Sequence, residues 1–136
     1  LFHAILGFVI IMEGKPNPLA CPYGRNWMYV LQRATGVAAF AFIVFHFVNF
    51  RARKEEFEAA PYDVVSATLA EPWVLWFYVV GIAACVFHLA NGLVGFLFSW
   101  GFTVGPRSKT LAGWACLGFG LALFALAMKA LFAFVP

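Results

Sequence analysis

The chain has 136 residues, enough for one ordinary domain, yet it is 64% hydrophobic and only 11% charged. A soluble domain carries roughly 25% charged residues. A protein this small cannot hide so much apolar surface inside itself, so lipid must cover much of it. The net charge of +3 comes from nine Lys and Arg against six Asp and Glu. Those cations sit at the ends of apolar runs and form no basic stripe with interleaved aromatics, which excludes nucleic acid as a partner.

The first apolar run, residues 1–12, falls short of the roughly 20 residues that cross a bilayer. It opens on Leu1-Phe2-His3 without an initiator Met or a basic n-region, so it is not a signal peptide. It reads as the later part of a transmembrane helix whose beginning lies upstream. Residues 13–25 hold Gly14, Pro16, Asn17, Pro18, Pro22 and Gly24, which is turn chemistry. The second run covers residues 27–49, the third 72–100 and the fourth 111–135. At 1.5 Å per residue each is long enough for about 30 Å of hydrocarbon, the third with some tilt. Barrel strands are excluded, because the runs do not alternate and far exceed the roughly 9–11 residues of such a strand.

The connections differ in character. Residues 51–71 are mixed in charge; within them 62–69 is expected to form a short surface helix, and Pro72 to sit in the first turn of the next span. Pro106 is expected to stop the third span, inside a hairpin loop of residues 101–110. The expectation is therefore an all-α integral membrane helix bundle forming a single transmembrane domain, with spans 1–12 (partial), 27–49, 72–100 and 111–135. Lys15, Arg25, Arg33, Arg107 and Lys109 fall on one side, and Arg51, Arg53, Lys54 and Lys129 on the other. The positive-inside rule then sets the first group in the cytoplasm, by a margin of five to four. Trp27, Tyr29, Trp73, Trp76, Trp100 and Trp114 lie toward span ends, as interfacial belts prefer. Cys21, Cys85 and Cys116 have no pairing framework and read as small core residues.

The three histidines, His3, His46 and His88, all lie within apolar spans. Ionisable residues there are costly and functional by default, the alternative being helix–helix hydrogen bonding. With three of three in the membrane and none in the loops, ligation is favoured. A six-coordinate b-type haem takes two imidazoles from facing helices. Zinc is disfavoured because no H-E-x-x-H or C-x-x-C spacing occurs, and covalent c-type attachment is excluded without C-x-x-C-H.

Depth selects the pairing. His3 lies nine residues before Met12, about 14 Å, and His88 twelve before Trp100, about 18 Å, measured from the same face. His46 lies three residues before Asn49, about 5 Å from the opposite face. His3 and His88 can therefore share one haem, while His46 needs a partner from outside this stretch of chain. Gly92 and Gly95 fall on the His88 face of the third span, where they allow either close porphyrin approach or tight helix packing, and Gly36 and Gly81 allow the same two readings. Arg25, Arg33 and Lys109 are candidates for haem propionate contacts or, equally, for lipid phosphate. Asn49, near His46, is expected to cap its helix, the alternative being contact with a ligand.

The segment Arg25-Asn26-Trp27-Met28-Tyr29-Val30-Leu31-Gln32-Arg33-Ala34-Thr35-Gly36, followed by His46, resembles the third helix of the five-helix, di-haem cytochrome b558 anchors of succinate dehydrogenases of Gram-positive type. Phe87-His88-Leu89-Ala90-Asn91-Gly92-Leu93 is similar to their fourth helix, and Trp100-Gly101-Phe102-Thr103-Val104-Gly105-Pro106-Arg107-Ser108 to the cytoplasmic loop after it. The histidine spacings of 43 and 42 residues (3 to 46, 46 to 88) agree with that family. The resemblance implies four of five helices, the first partial, in a multi-pass plasma-membrane protein. It implies His3 and His88 as axial ligands of the cytoplasm-side haem, and His46 as a ligand of an outer haem. Two haems b would then belong to the full-length protein, with at most one fully ligated by this chain. It further implies a flavoprotein and an iron–sulfur subunit as partners and a quinone, menaquinone first, as substrate, with no catalytic residue in this electron-transfer subunit. A quinol:fumarate reductase anchor, a di-haem anchor of another dehydrogenase and a haem-free helical scaffold remain the alternatives.

Overall fold

A computed structural model describes residues 2–135; Leu1, with which the first expected span opens, lies outside the described residues. Six helices follow in order: α1 Phe2–Glu13, α2 Gly24–Ala52, α3 Lys54–Ala59, α4 Pro61–Leu69, α5 Pro72–Ser99 and α6 Pro106–Phe132. No strand occurs among the described residues. With 29, 28 and 27 residues, α2, α5 and α6 are long and apolar enough to cross a membrane. Each is about 40 Å long, so their ends extend past the roughly 30 Å hydrocarbon layer into the headgroups.

Helix α5 is the spine. It packs on α2 along one side and on α6 along the other, α1 lies against α2, and α4 abuts α5. Among the described residues no Cα of α1 comes within 8 Å of α5, so a gap separates these two helices. In lipid, helices associate through close packing of small residues and through interhelical hydrogen bonds. Both devices occur here. The ring of Phe42 on α2 sits directly over Gly81 of α5, and Gly120 of α6 meets Ala90 so closely that an added Cβ would lie 3.0 Å from that methyl. Phe42, Phe45, Phe77 and Tyr78 interlock edge to face, with Phe45–Phe77 centroids 4.8 Å apart and Phe42–Tyr78 centroids 5.1 Å apart. Leu69, Val74, Tyr78 and Leu131 form a small buried core at the same end, sealed by α4. The outward faces stay apolar and bare, as Trp76, Trp114 and Leu121 show at more than 60% exposure; these are lipid-facing surfaces.

Two local expectations are corrected. Pro106 does not sit in a loop running to residue 110; it is the first residue of α6. Its missing N–H costs nothing at a first helical position, and the Ser108 hydroxyl accepts a hydrogen bond from the Gly105 N–H at 3.1 Å. The third span is stopped earlier, by Gly101, whose φ of 73° only glycine adopts freely. Asn49 does not cap α2, which continues for three more residues to Ala52. The 62–69 segment is helical within α4, although Val64, Thr68 and Leu69 are buried, Leu69 in the core with Val74 and Tyr78 of α5 and Leu131 of α6.

Candidate functional site

His3 on α1 and His88 on α5 face each other across the gap between those helices, with ring centroids 6.2 Å apart and planes at 88°. They line one cavity of about 340 Å³, whose wall is otherwise α1 and α2, including Gly7, Phe8, Gly36 and Phe40. Gly36 decides how close His88 comes to α2. A Cβ there would lie 2.9 Å from the imidazole Cε1, so only glycine lets the ring rest on the helix backbone.

The ring is also oriented. His88 Nδ1 lies 3.0 Å from the Gln32 main-chain carbonyl. A carbonyl only accepts, so Nδ1 carries the proton and Nε2 keeps its lone pair for a ligand. The Gln32 side chain returns the contact by donating to the His88 carbonyl at 3.0 Å. Asn91, one turn after His88, donates to Gln32 Oε1 at 2.7 Å and to the Met28 carbonyl at 3.3 Å. Arg33 enters the same cavity. One of its guanidinium nitrogens donates to the Tyr29 carbonyl at 3.2 Å and its plane covers the Tyr29 ring, but Nε is buried with no hydrogen-bond partner.

His46 belongs to a different level. Its Nδ1 lies 3.1 Å from the Tyr78 hydroxyl, and its ring packs against Phe50 at 5.0 Å between centroids. It opens on a second cavity of about 560 Å³ that Tyr78, Leu69, Ile82 and Leu131 help to line. Tyr78 precedes His88 by ten residues, about 15 Å along α5, so the two histidine levels are well separated. Asn49, three residues past His46, has its amide nitrogen buried without a partner.

The other expected residues lie elsewhere. The Arg25 guanidinium sits 4.6 Å and the Lys109 ammonium 5.5 Å from the Phe98 ring, near the end of α5, and neither lines the cavity. Gly92 faces the Gln32 amide, and an added Cβ at Gly95 would meet nothing within 4 Å. No cluster of three or more His, Cys, Asp or Glu that would hold a bare metal ion occurs among the described residues. Gln32, Asn91 and Tyr78 were not singled out from the sequence. The available signal was their polarity inside apolar runs, where a partner has to be found.

The fold and site together define an integral membrane helix bundle that carries histidines at two depths. The chain belongs to the succinate dehydrogenase/fumarate reductase transmembrane subunit family, whose model it matches over residues 24–127. It is also 36% identical, over 135 residues, to the succinate dehydrogenase cytochrome b558 subunit of Bacillus subtilis (strain 168), an alignment covering 99% of this chain and 67% of the relative. No solved structure gives a significant match. Membership bears out the resemblance read from residues 25–36 and 87–93, the all-α membrane class and the multi-pass plasma-membrane setting.

Proposed function

We propose that this chain is the haem b-binding membrane anchor of a succinate dehydrogenase, carrying electrons between an iron–sulfur subunit and a membrane quinone, menaquinone first. The facing pair His3 and His88 carries the reading. Two imidazoles that bind one metal from opposite sides, each nitrogen about 2 Å away, have centroids about 6.3 Å apart. The observed 6.2 Å fits that separation. The cavity is of cofactor size and apolar apart from Gln32, Arg33 and the two histidines.

The orphaned Nε of Arg33 supports the same group, because a haem propionate would give that buried donor a charge-assisted partner. When bound, haem supplies one-electron redox chemistry. This chain's residues hold and orient it. The Gln32 carbonyl accepts from His88 Nδ1–H and so leaves Nε2 of the neutral ring as the ligating nitrogen, Gly36 gives the ring room, and Phe8 and Phe40 line the pocket with apolar surface. His46 is the proposed ligand of an outer haem, and the other two histidines of this chain, which face each other, would not share it. The His46 Nδ1 contact with Tyr78 would fix the rotation of the ring and, with the hydroxyl as acceptor, leave Nε2 as the ligating nitrogen. Arg25 and Lys109, at the other end of the bundle, are proposed to face the flavoprotein and iron–sulfur partners, where succinate itself is oxidised. The printed name of the Bacillus relative favours succinate oxidation over the reverse direction.

The test is an absorption spectrum of the purified complex before and after succinate. A bis-histidine α-band that appears on adding succinate is expected. Dye reduction by succinate without any haem band would overturn the reading.

A further inference from the structure

We propose that Gln32, gripped by Asn91, is a positioning residue that holds down the reduction potential of the haem on His88. This rests on the haem reading of the His3–His88 cavity and assigns a task to side chains outside the ligand set.

The Gln32 carbonyl is a crowded acceptor. Within α2 it takes the helical bond from residue 36, and the Thr35 hydroxyl approaches it at 3.3 Å. It can accept from His88 Nδ1 as well only if α5 is held in one register against α2. Two side-chain bonds provide that register: Gln32 Nε2 to the His88 carbonyl, and Asn91 Nδ2 to Gln32 Oε1. Gln32 and His88 thus grip each other twice, ring to carbonyl and amide to carbonyl, with Asn91 locking the amide. Arg33 is the one Arg, Lys, Asp or Glu among the residues lining the cavity and stands next to Gln32 on α2; it contributes to the field at the site whatever occupies position 32.

A short bond from Nδ1–H to a carbonyl raises the basicity of Nε2, and a more basic ligand favours ferric over ferrous iron. Loosening the clasp should therefore raise the potential of this haem. The outer level provides an internal reference, because His46 meets a phenol hydroxyl on α5 and no part of the clasp.

The experiment is a redox titration of the whole complex carrying Gln32→Met, Asn91→Leu or both, following the two haems separately. Met keeps the length and the main-chain carbonyl of Gln32 but removes both amide bonds. Gln32→Met is expected to shift the ferric/ferrous equilibrium of the cytoplasm-side haem about tenfold toward ferrous, which is about 59 mV for one electron. Asn91→Leu should move it the same way by less, and the double variant no further than Gln32→Met. The outer haem should not move. Unchanged potentials, a downward shift, or equal shifts in both haems would overturn the proposal. If Gln32→Met loses the haem outright, Asn91→Leu decides alone: an upward shift confined to one haem supports the clasp and no shift refutes it. Retention of both haems by His88→Ala would instead defeat the underlying ligand assignment. Loss of one haem there, with unmoved potentials in the clasp variants, would defeat only the positioning role.

Discussion

Replacing Gly36 by Ala puts a methyl group against the His88 imidazole, and the structure gives the size of the collision. The new Cβ would lie 2.9 Å from Cε1 and 3.2 Å from Nδ1. Ordinary contact needs about 3.5 Å, so the ring must retreat by roughly 0.5 Å. That lengthens the 3.0 Å bond from Nδ1 to the Gln32 carbonyl to about 3.5 Å, the edge of a hydrogen bond. Overpacking and an unsatisfied buried donor each cost about 1–3 kcal/mol. Against this, Ala is better than Gly inside a helix by about 0.5–1 kcal/mol. The two effects oppose each other in global stability, so a melting curve is a poor assay. Retention at the site is a clean one. Transfer of haem from the purified complex to excess apomyoglobin should be roughly 5- to 150-fold faster for the cytoplasm-side haem, the range that about 1–3 kcal/mol gives. Gly118→Ala is the control, because a Cβ there meets nothing within 4 Å and the residue lies on α6, which does not line the His3–His88 cavity. Equal retention in Gly36→Ala, Gly118→Ala and the unmodified complex would refute the clearance argument.

Arg33→Gln should weaken retention of the same haem by about tenfold or more in that assay, since hydrogen bonds to charged groups are worth about 1.5–3 kcal/mol; Arg33→Lys should recover only part of it, lacking the fork. Gly81→Ala should lower the thermal midpoint of the complex through roughly 1–3 kcal/mol of overpacking against Phe42, with both haem spectra unchanged below the transition. Single cysteines placed at Lys15 and Lys109 should resist an impermeant thiol reagent added outside intact cells, whereas one at Lys54 should react; the reverse pattern would overturn the orientation and the docking end together.

The helices were legible because lipid leaves a strong signal: three long apolar runs became α2, α5 and α6, and the turn residues between 13 and 25 became the first connection. The helix ends were less so. Pro106 can stop one helix or open the next, and the deciding feature was the positive φ of Gly101 five residues earlier, which composition does not reveal. Asn49 looked like a cap because the apolar run ends there, yet α2 continues through Phe50, Arg51 and Ala52 into the headgroup region. At the site, counting residues from the membrane faces was enough to bring His3 and His88 together and to keep His46 apart. The supporting residues were not accessible in that way. Whether Gly36, Gly92 or Gly95 gives the histidine room depends on helix rotation, and only Gly36 touches the ring. Gln32 and Asn91 act through backbone carbonyls on the facing helix, a contact set by the relative slide of α2 and α5.

Haem stoichiometry in two histidine variants of the assembled complex tests the ligand assignment most directly. His88→Ala should lose the cytoplasm-side haem and keep the outer one, because His3 alone leaves one face of the iron without a ligand. His46→Ala should do the opposite, and should stop quinone reduction while dye reduction by the soluble partners continues. A His88→Ala or His46→Ala complex that still carries two haems, counted as pyridine haemochrome per flavin, would contradict the pairing of the histidines by depth.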